Sequence, residues 1–189
     1  MNNTHVIGFC GKAGCGKGTA SEIIYNYRTK MIGGCYNAVG VFPLADELKR
    51  IAREEFGWDG NKDEKGRKLL QTLGTECGRM YGGENFWVDK WQSAVYQWRC
   101  SVAWQSPNYP IVICDDVRFD NEAQHIRDIG GHICKIEGRA YDMGENNNHA
   151  SEAGISNNLI DCVIDNTGDM DALENHIRNM LLCFGVING

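Results

Sequence analysis

Residues 11–19 read Gly-Lys-Ala-Gly-Cys-Gly-Lys-Gly-Thr, a run built for holding an anion. Gly11, Gly14 and Gly16 allow the sharp backbone turns that aim successive N–H groups inward at an oxyanion. Lys12, Ala13, Cys15 and Gly18 contribute further main-chain donors. Lys17 adds a compact positive charge suited to the β and γ oxygens of a nucleoside triphosphate, and Thr19 adds a hydroxyl. The spacing is G-x-x-x-x-G-K, preceded by an apolar run at 6–10 and followed by a helical stretch. That strand–loop–helix setting is the one in which the positive end of the helix reinforces the loop. One position departs from the common pattern: Gly18, not Ser or Thr, follows Lys17, and the hydroxyl comes one residue later.

A second group follows an apolar run at 111–114: Asp115-Asp116-Val117-Arg118-Phe119-Asp120-Asn121-Glu122. Carboxylates at the carboxyl end of a parallel strand lie in the crevice where open α/β sheets bind ligands. Asp116 there could order a Mg²⁺-bound water, as could Thr19, without either being a direct metal ligand. Arg118 offers a planar fork for phosphate. Arg118 and Glu122 are also spaced as a helix-surface ion pair, which would be structural only.

A third group is RKLLQTLGTECGRM, residues 67–80. At helical spacing Arg67, Gln71, Gly74, Thr75 and Gly78 share one face, and Leu69, Leu70, Leu73, Cys77 and Met80 share the other. The first face is polar and lacks bulk, like one wall of a ligand cleft. The second should face the core. Glycine inside a helix costs about 1 kcal/mol relative to alanine, so two of them suggest that something must come close. The next helix carries Trp87, Trp91, Ala94, Val95 and Trp98 as an apolar stripe. Trp87, in its first turn, is placed to reach the cleft and stack on a base.

Elements that position these groups are legible from pattern. Short apolar runs at 6–10, 38–42, 111–114, 132–136 and 162–164 predict strands buried on both faces. Helices are predicted at 17–31, 46–56, 62–80, 85–104, 118–129 and 169–183. Alternation of the two predicts an α/β fold of three layers, a five-stranded parallel sheet with helices on both faces. The polar stretch 138–152, GRAYDMGENNNHASE, reads as a mobile lid between two strands, with Arg139 at its start.

With 189 residues the chain suits one domain. Its core is expected at 1–45 and 108–189, with an acceptor-binding helical region at 46–106. The 19 basic and 25 acidic residues give a net charge of −6, which argues against broad adhesion to nucleic acid. No apolar run reaches the roughly 18 residues of a membrane span, and no signal-peptide pattern opens the chain. A cytoplasmic protein is expected. Nine scattered cysteines without a C-x-x-C pair predict reduced thiols and no zinc site.

Gly-Lys-Gly-Thr resembles the phosphate loop of nucleoside monophosphate kinases, and the absence of Asn-Lys-x-Asp argues against a GTPase. Three segments together are similar to the deoxynucleoside monophosphate kinases of bacteriophages. They are the loop 11–19, the stretch from Gly57-Trp58-Asp59 through GRKLLQTLGTE to Trp87-Val88-Asp89, and DVRFDNEA at 116–123 followed by HASEAG at 149–154. Animal phosphomevalonate kinases share a similar loop and a related helix. The resemblance implies a P-loop kinase fold that uses ATP and Mg²⁺ to phosphorylate a deoxynucleoside monophosphate, forming a homodimer, in a host cytoplasm if the origin is a phage. It implies a donor role for the glycine loop and Lys17, and an acceptor role for Arg67, Gln71, Gly74, Thr75 and Trp87. It places Asp116, Arg118 and Glu122 at the reaction centre. Asp46 stands in a segment where the family often has Ala-Asp-Pro-Leu-Lys, with Glu47 here in place of proline. Asp115 stands where a proline is frequent. The segment 163–168, including Asn166, resembles the final strand and turn that border adenine. Rival readings are a kinase for another phosphorylated small molecule, such as a phosphomevalonate-like compound, and a nucleotide-dependent ATPase or switch module.

Overall fold

The computed structural model describes residues 4–31, 39–102, 110–138 and 154–187. The expected lid, Arg139 included, lies almost wholly outside them. Five strands form one parallel sheet: β1 (His5–Cys10), β2 (Val39–Val41), β3 (Ile111–Cys114), β4 (His132–Gly138) and β5 (Cys162–Asn166). Their spatial order is β2-β3-β1-β4-β5, so the strand entering the glycine loop is central. Ile7 pairs with Ile113 on one side and with His132 on the other.

Each strand of the centre is apolar on both faces because both are covered. Ile7 and Phe9 point into a cluster with Ala20 and Ile24 of α1 (Lys17–Met31) and Leu173, Ile177 and Leu181 of α7 (Met170–Cys183). Val6 and Cys10 point the other way, toward Val88, Trp91 and Val95 of α5 (Phe86–Val102) and Ala123 and Ile126 of α6 (Asp120–Asp128). The three-layer α/β architecture follows from this alternation. Cysteines act as small apolar side chains here: Cys114 and Cys134 are fully buried, and the described cysteines are free.

Between β2 and α5 lies a smaller helical group around Ala52, Trp58 and Leu73. It contains α2 (Asp46–Phe56) and α3 (Glu64–Gln71), capped by Asp63, whose carboxylate accepts from the Gly66 amide at 2.7 Å. The single helix expected over 62–80 is interrupted. Residues Thr72–Arg79 form a π-helix, and one further turn, α4 (Met80–Gly82), follows.

Candidate functional site

The glycine loop is set by its backbone. Gly11, Gly14 and Gly16 adopt φ of 133°, 75° and 106°, values that side chains rarely tolerate. Space is equally restrictive: a side chain at Gly11 would run into the Ile136 carbonyl, and one at Gly16 into the Asn166 amide. The Lys17 ammonium donates to the carbonyls of Gly11 and Lys12, both at 2.8 Å, so it is held over the mouth of the loop. Asn166 is buried at the end of β5 and donates to the Cys15 carbonyl at 2.9 Å. Its side chain therefore braces the loop from behind. Thr19 is half-buried in the first turn of α1.

At the end of β3 the Val117 amide donates to the Phe9 carbonyl at 3.1 Å, which draws this segment alongside the start of the loop. Asp116 uses both oxygens on backbone: Oδ1 accepts from the Leu44 amide at 2.6 Å and Oδ2 from Ala45 at 3.0 Å. It anchors the entry to α2. Asp115 beside it is half-buried, and burial followed by the charge of Asp116 pushes its carboxyl above the usual aspartate range. Asp115 and Gly18 line one open cleft of about 490 Å³ together with Ser21, Glu22 and Tyr25.

Glu122 is buried rather than on the helix surface. Its Oε2 accepts from the backbone amides of Arg118 at 2.8 Å and Phe119 at 3.1 Å, capping α6 from within. Its Oε1 accepts from Arg79 at 2.5 Å. Despite these donors, burial holds the carboxyl above the usual glutamate range. The sequence reading missed Arg79 altogether; only its position after the G-T-E-C-G run could have drawn attention.

The π-helix alters the acceptor wall. Gln71 and Thr75 are exposed as the helical spacing predicts, and Gly74 packs at its edge against Leu48. Cys77 and Met80, expected in the core, are exposed, and Gly78, expected on the open face, is buried. The cause is the wider π turn, whose i→i+5 bonds rotate later residues out of the 3.6-residue phase. Trp87, expected to reach the cleft, faces inward instead. Its indole is buried beneath the wall, donating to the Gly74 carbonyl at 2.8 Å and seated where a side chain at Gly78 would be. It supports the wall and does not present a stacking face.

Cations converge on this side. Arg67 is exposed and donates through Nε to the Lys62 carbonyl at 2.8 Å, fixing the loop between α2 and α3. Trp58 pins the same loop by donating to the Asn61 carbonyl at 2.7 Å. Lys62 is thereby set close to Lys49, Arg118 and Arg67. Partial burial, then the charges of these three in that order, lowers its affinity for a proton below the lysine norm, and Asp116 acts in the opposite direction. Asp46 is exposed, 3.6 Å from Lys49, and adds to the negative field at Asp115. Lys49 and Lys62 were not singled out in the sequence, because their partners come from other elements. Like charges held together in this way favour a multiply charged anion.

A parallel α/β sheet whose central strand feeds a glycine loop and helix is the architecture of a nucleotide-handling α/β protein. The family model "Deoxynucleotide monophosphate kinase" matches residues 46–177, and the chain belongs to that family of enzymes that phosphorylate nucleotides. The match takes in every acceptor-side segment and begins after the glycine loop. A protein of Acanthamoeba polyphaga mimivirus, provisionally named a deoxynucleotide monophosphate kinase, is 27% identical over 157 residues, covering 70% of this chain and 73% of that protein. The crystal structure of TT1252 from Thermus thermophilus shares the fold, with a TM-score of 0.54 and 16% identity over the full length of both chains.

Proposed function

We propose that the protein transfers the γ-phosphate of ATP to a deoxynucleoside monophosphate, giving ADP and the deoxynucleoside diphosphate. The observation that carries this reading is the approach of two segments: the Val117 amide donates to the Phe9 carbonyl, so the turn that carries Asp116 and Arg118 lies against the strand end that enters the glycine loop. A donor triphosphate on the glycine loop and an acceptor monophosphate on the cations would meet there.

Phosphoryl transfer asks the protein for alignment and charge neutralisation more than covalent chemistry. Lys17 exchanges its bonds to the Gly11 and Lys12 carbonyls for the β and γ oxygens. Arg118, Lys62 and Arg67 hold the acceptor phosphate, and Lys49 balances the carboxylates around it. Gln71 and Thr75 offer polar groups to the rest of the nucleotide along a wall that Trp87 keeps thin at Gly74 and Gly78. In this reading residues 1–45 and 108–189 are the core of one kinase domain, and about 46–106 its acceptor-binding helical region. No strong general base is required, because a nucleotide phosphate is already a nucleophile at neutral pH.

The donor set fits Mg²⁺ in its usual nucleotide-bound form, which keeps several waters and takes few protein ligands. Among the described residues no three His, Cys, Asp or Glu side chains are grouped to grip an ion alone. Thr19 and Asp116 would hold it through water: each Asp116 oxygen accepts one backbone N–H, and a carboxylate keeps further acceptor sites for a metal-bound water. When bound, the ion would supply charge neutralisation for the transferring phosphate. Small-molecule substrates suit the acidic net charge, and no described helix is long and apolar enough to cross a membrane.

The test is a panel of four deoxynucleoside monophosphates, four ribonucleoside monophosphates and phosphomevalonate, each with ATP and Mg²⁺, read as ADP formation. Acceptor-dependent ADP with the deoxynucleotides is the expected result. ADP formed equally without acceptor would make the protein an ATPase, and turnover confined to phosphomevalonate would reassign the acceptor.

A further inference from the structure

Arg79 lies at the end of the π-helix, yet its guanidinium reaches the turn that carries Arg118. It pairs with buried Glu122 at 2.5 Å, lies 3.9 Å over the Phe119 ring, and donates to the Glu84 carbonyl at 3.2 Å and the Asn121 side chain at 3.4 Å. Asn121 returns to the same place, donating to the Glu84 carbonyl and the Asn85 side chain, both at 3.0 Å. One guanidinium therefore joins the end of the acceptor wall and the neighbouring link into α5 to the 118–122 turn, some forty residues away in sequence. A planar, five-donor head can satisfy all of them at once, and an ammonium cannot.

We propose that Arg79 is a positioning residue that, through Glu122, sets the backbone of Arg118 and so couples the placement of the acceptor wall to the aim of the Arg118 fork. The chain of contacts is direct. Arg79 fixes one Glu122 oxygen, and the other holds the amides of Arg118 and Phe119. Glu122 is then not a substrate ligand but the middle of this link. Movement of the wall as it closes on an acceptor would be transmitted to Arg118 without any contact between Arg79 and substrate. This rests on the assignment of Arg118 to the acceptor phosphate.

Two measurements on the full-length protein test it. The first needs no activity: amide hydrogen exchange at Arg118 and Phe119 in Arg79→Lys. At least tenfold faster exchange there, with β3 amides unchanged, is expected, and unchanged protection overturns the proposal. The second is a double-mutant cycle on turnover. Arg79→Lys alone should lower kcat about tenfold to a hundredfold with the Michaelis constant for ATP unchanged. In an Arg118→Ala background the same substitution should change kcat less than threefold, because its route to the substrate is already cut. Independent, multiplying losses would overturn the proposal and make Arg79 merely structural. A wild type that phosphorylates no deoxynucleotide would instead defeat the functional reading, leaving the exchange experiment to decide the coupling by itself.

Discussion

In the glycine loop, the groups that would face a phosphate lie within residues 11–19 and are oriented largely by their own backbone, with Asn166 as an outside brace. On the acceptor side, the cations come from α2, the loop before α3, α3 itself and the turn after β3, segments spread from residue 49 to residue 118 that only the fold brings together. Asp116, for example, ties that turn to the Leu44 amide 72 residues away. A local site of this kind tolerates change elsewhere in the chain, whereas an assembled site depends on every element that supplies it. The same contrast suits the chemistry: a triphosphate is a constant, and an acceptor must be selected. A rigid loop serves the first, and a wall built from separate pieces can be adjusted for the second.

Breaking the local half should have the largest effect. Lys17→Met is expected to lower turnover about a thousandfold while leaving the fold intact, as loss of a charge realised on the transferring group does. Near-normal turnover in a folded variant would remove the glycine loop from the reaction. Next comes Arg118→Lys, where a point charge replaces a two-pronged fork, and a fall in kcat of roughly tenfold to a hundredfold is expected. If only the melting temperature moved, Arg118 would be part of the scaffold.

Gly78→Ala sharpens the contrast by acting on the wall without touching a charge. Its added methyl would fall within 2.5 to 2.6 Å of the Trp87 ring, so the indole must shift. Overpacking of this kind costs about 1–3 kcal/mol. Denaturant unfolding should register that loss, and steady-state kinetics should show a raised acceptor Michaelis constant with that for ATP unchanged. An equal rise for both substrates would mean that wall and loop are not separable. Trp87→Phe tests the same seat more gently: it removes the indole's bond to the half-buried Gly74 carbonyl, and the same unfolding measurement should show a loss of about 0.5–1.5 kcal/mol.

The smallest effect concerns protons. Lys62 loses its proton below the usual lysine range because burial and three cations oppose its charge. A bound phosphate reverses that opposition and raises the value again. Between the two values, acceptor binding must take up a fraction of a proton, and affinity must fall as pH rises through the free-enzyme value. Calorimetric titration of the acceptor in two buffers of different ionisation enthalpy measures the uptake. Identical heats, once buffer-corrected for neither, would place Lys62 away from the phosphate.

Strand and helix positions were legible because each is stamped on consecutive residues. Apolar runs gave five strands within about two residues of those observed, and the glycine loop was legible because its geometry is a property of its own backbone. Asp116 and Glu122 stood out in the sequence, but their bonding did not, since their partners, the Leu44 and Ala45 amides and Arg79, are named by no local spacing. Lys49 and Lys62 were invisible for the same reason. The phase of the acceptor helix failed differently: a 3.6-residue period was read through Thr72–Arg79, where i→i+5 bonds turn Gly78 inward and Met80 outward. By itself the sequence determined the sheet and the glycine loop, because these rest on hydrophobic period and on glycine's freedom. Tertiary structure alone decided which side chains gather on the proposed acceptor side, because that depends on contacts between segments whose spacing in the chain carries no information about their spacing in the fold.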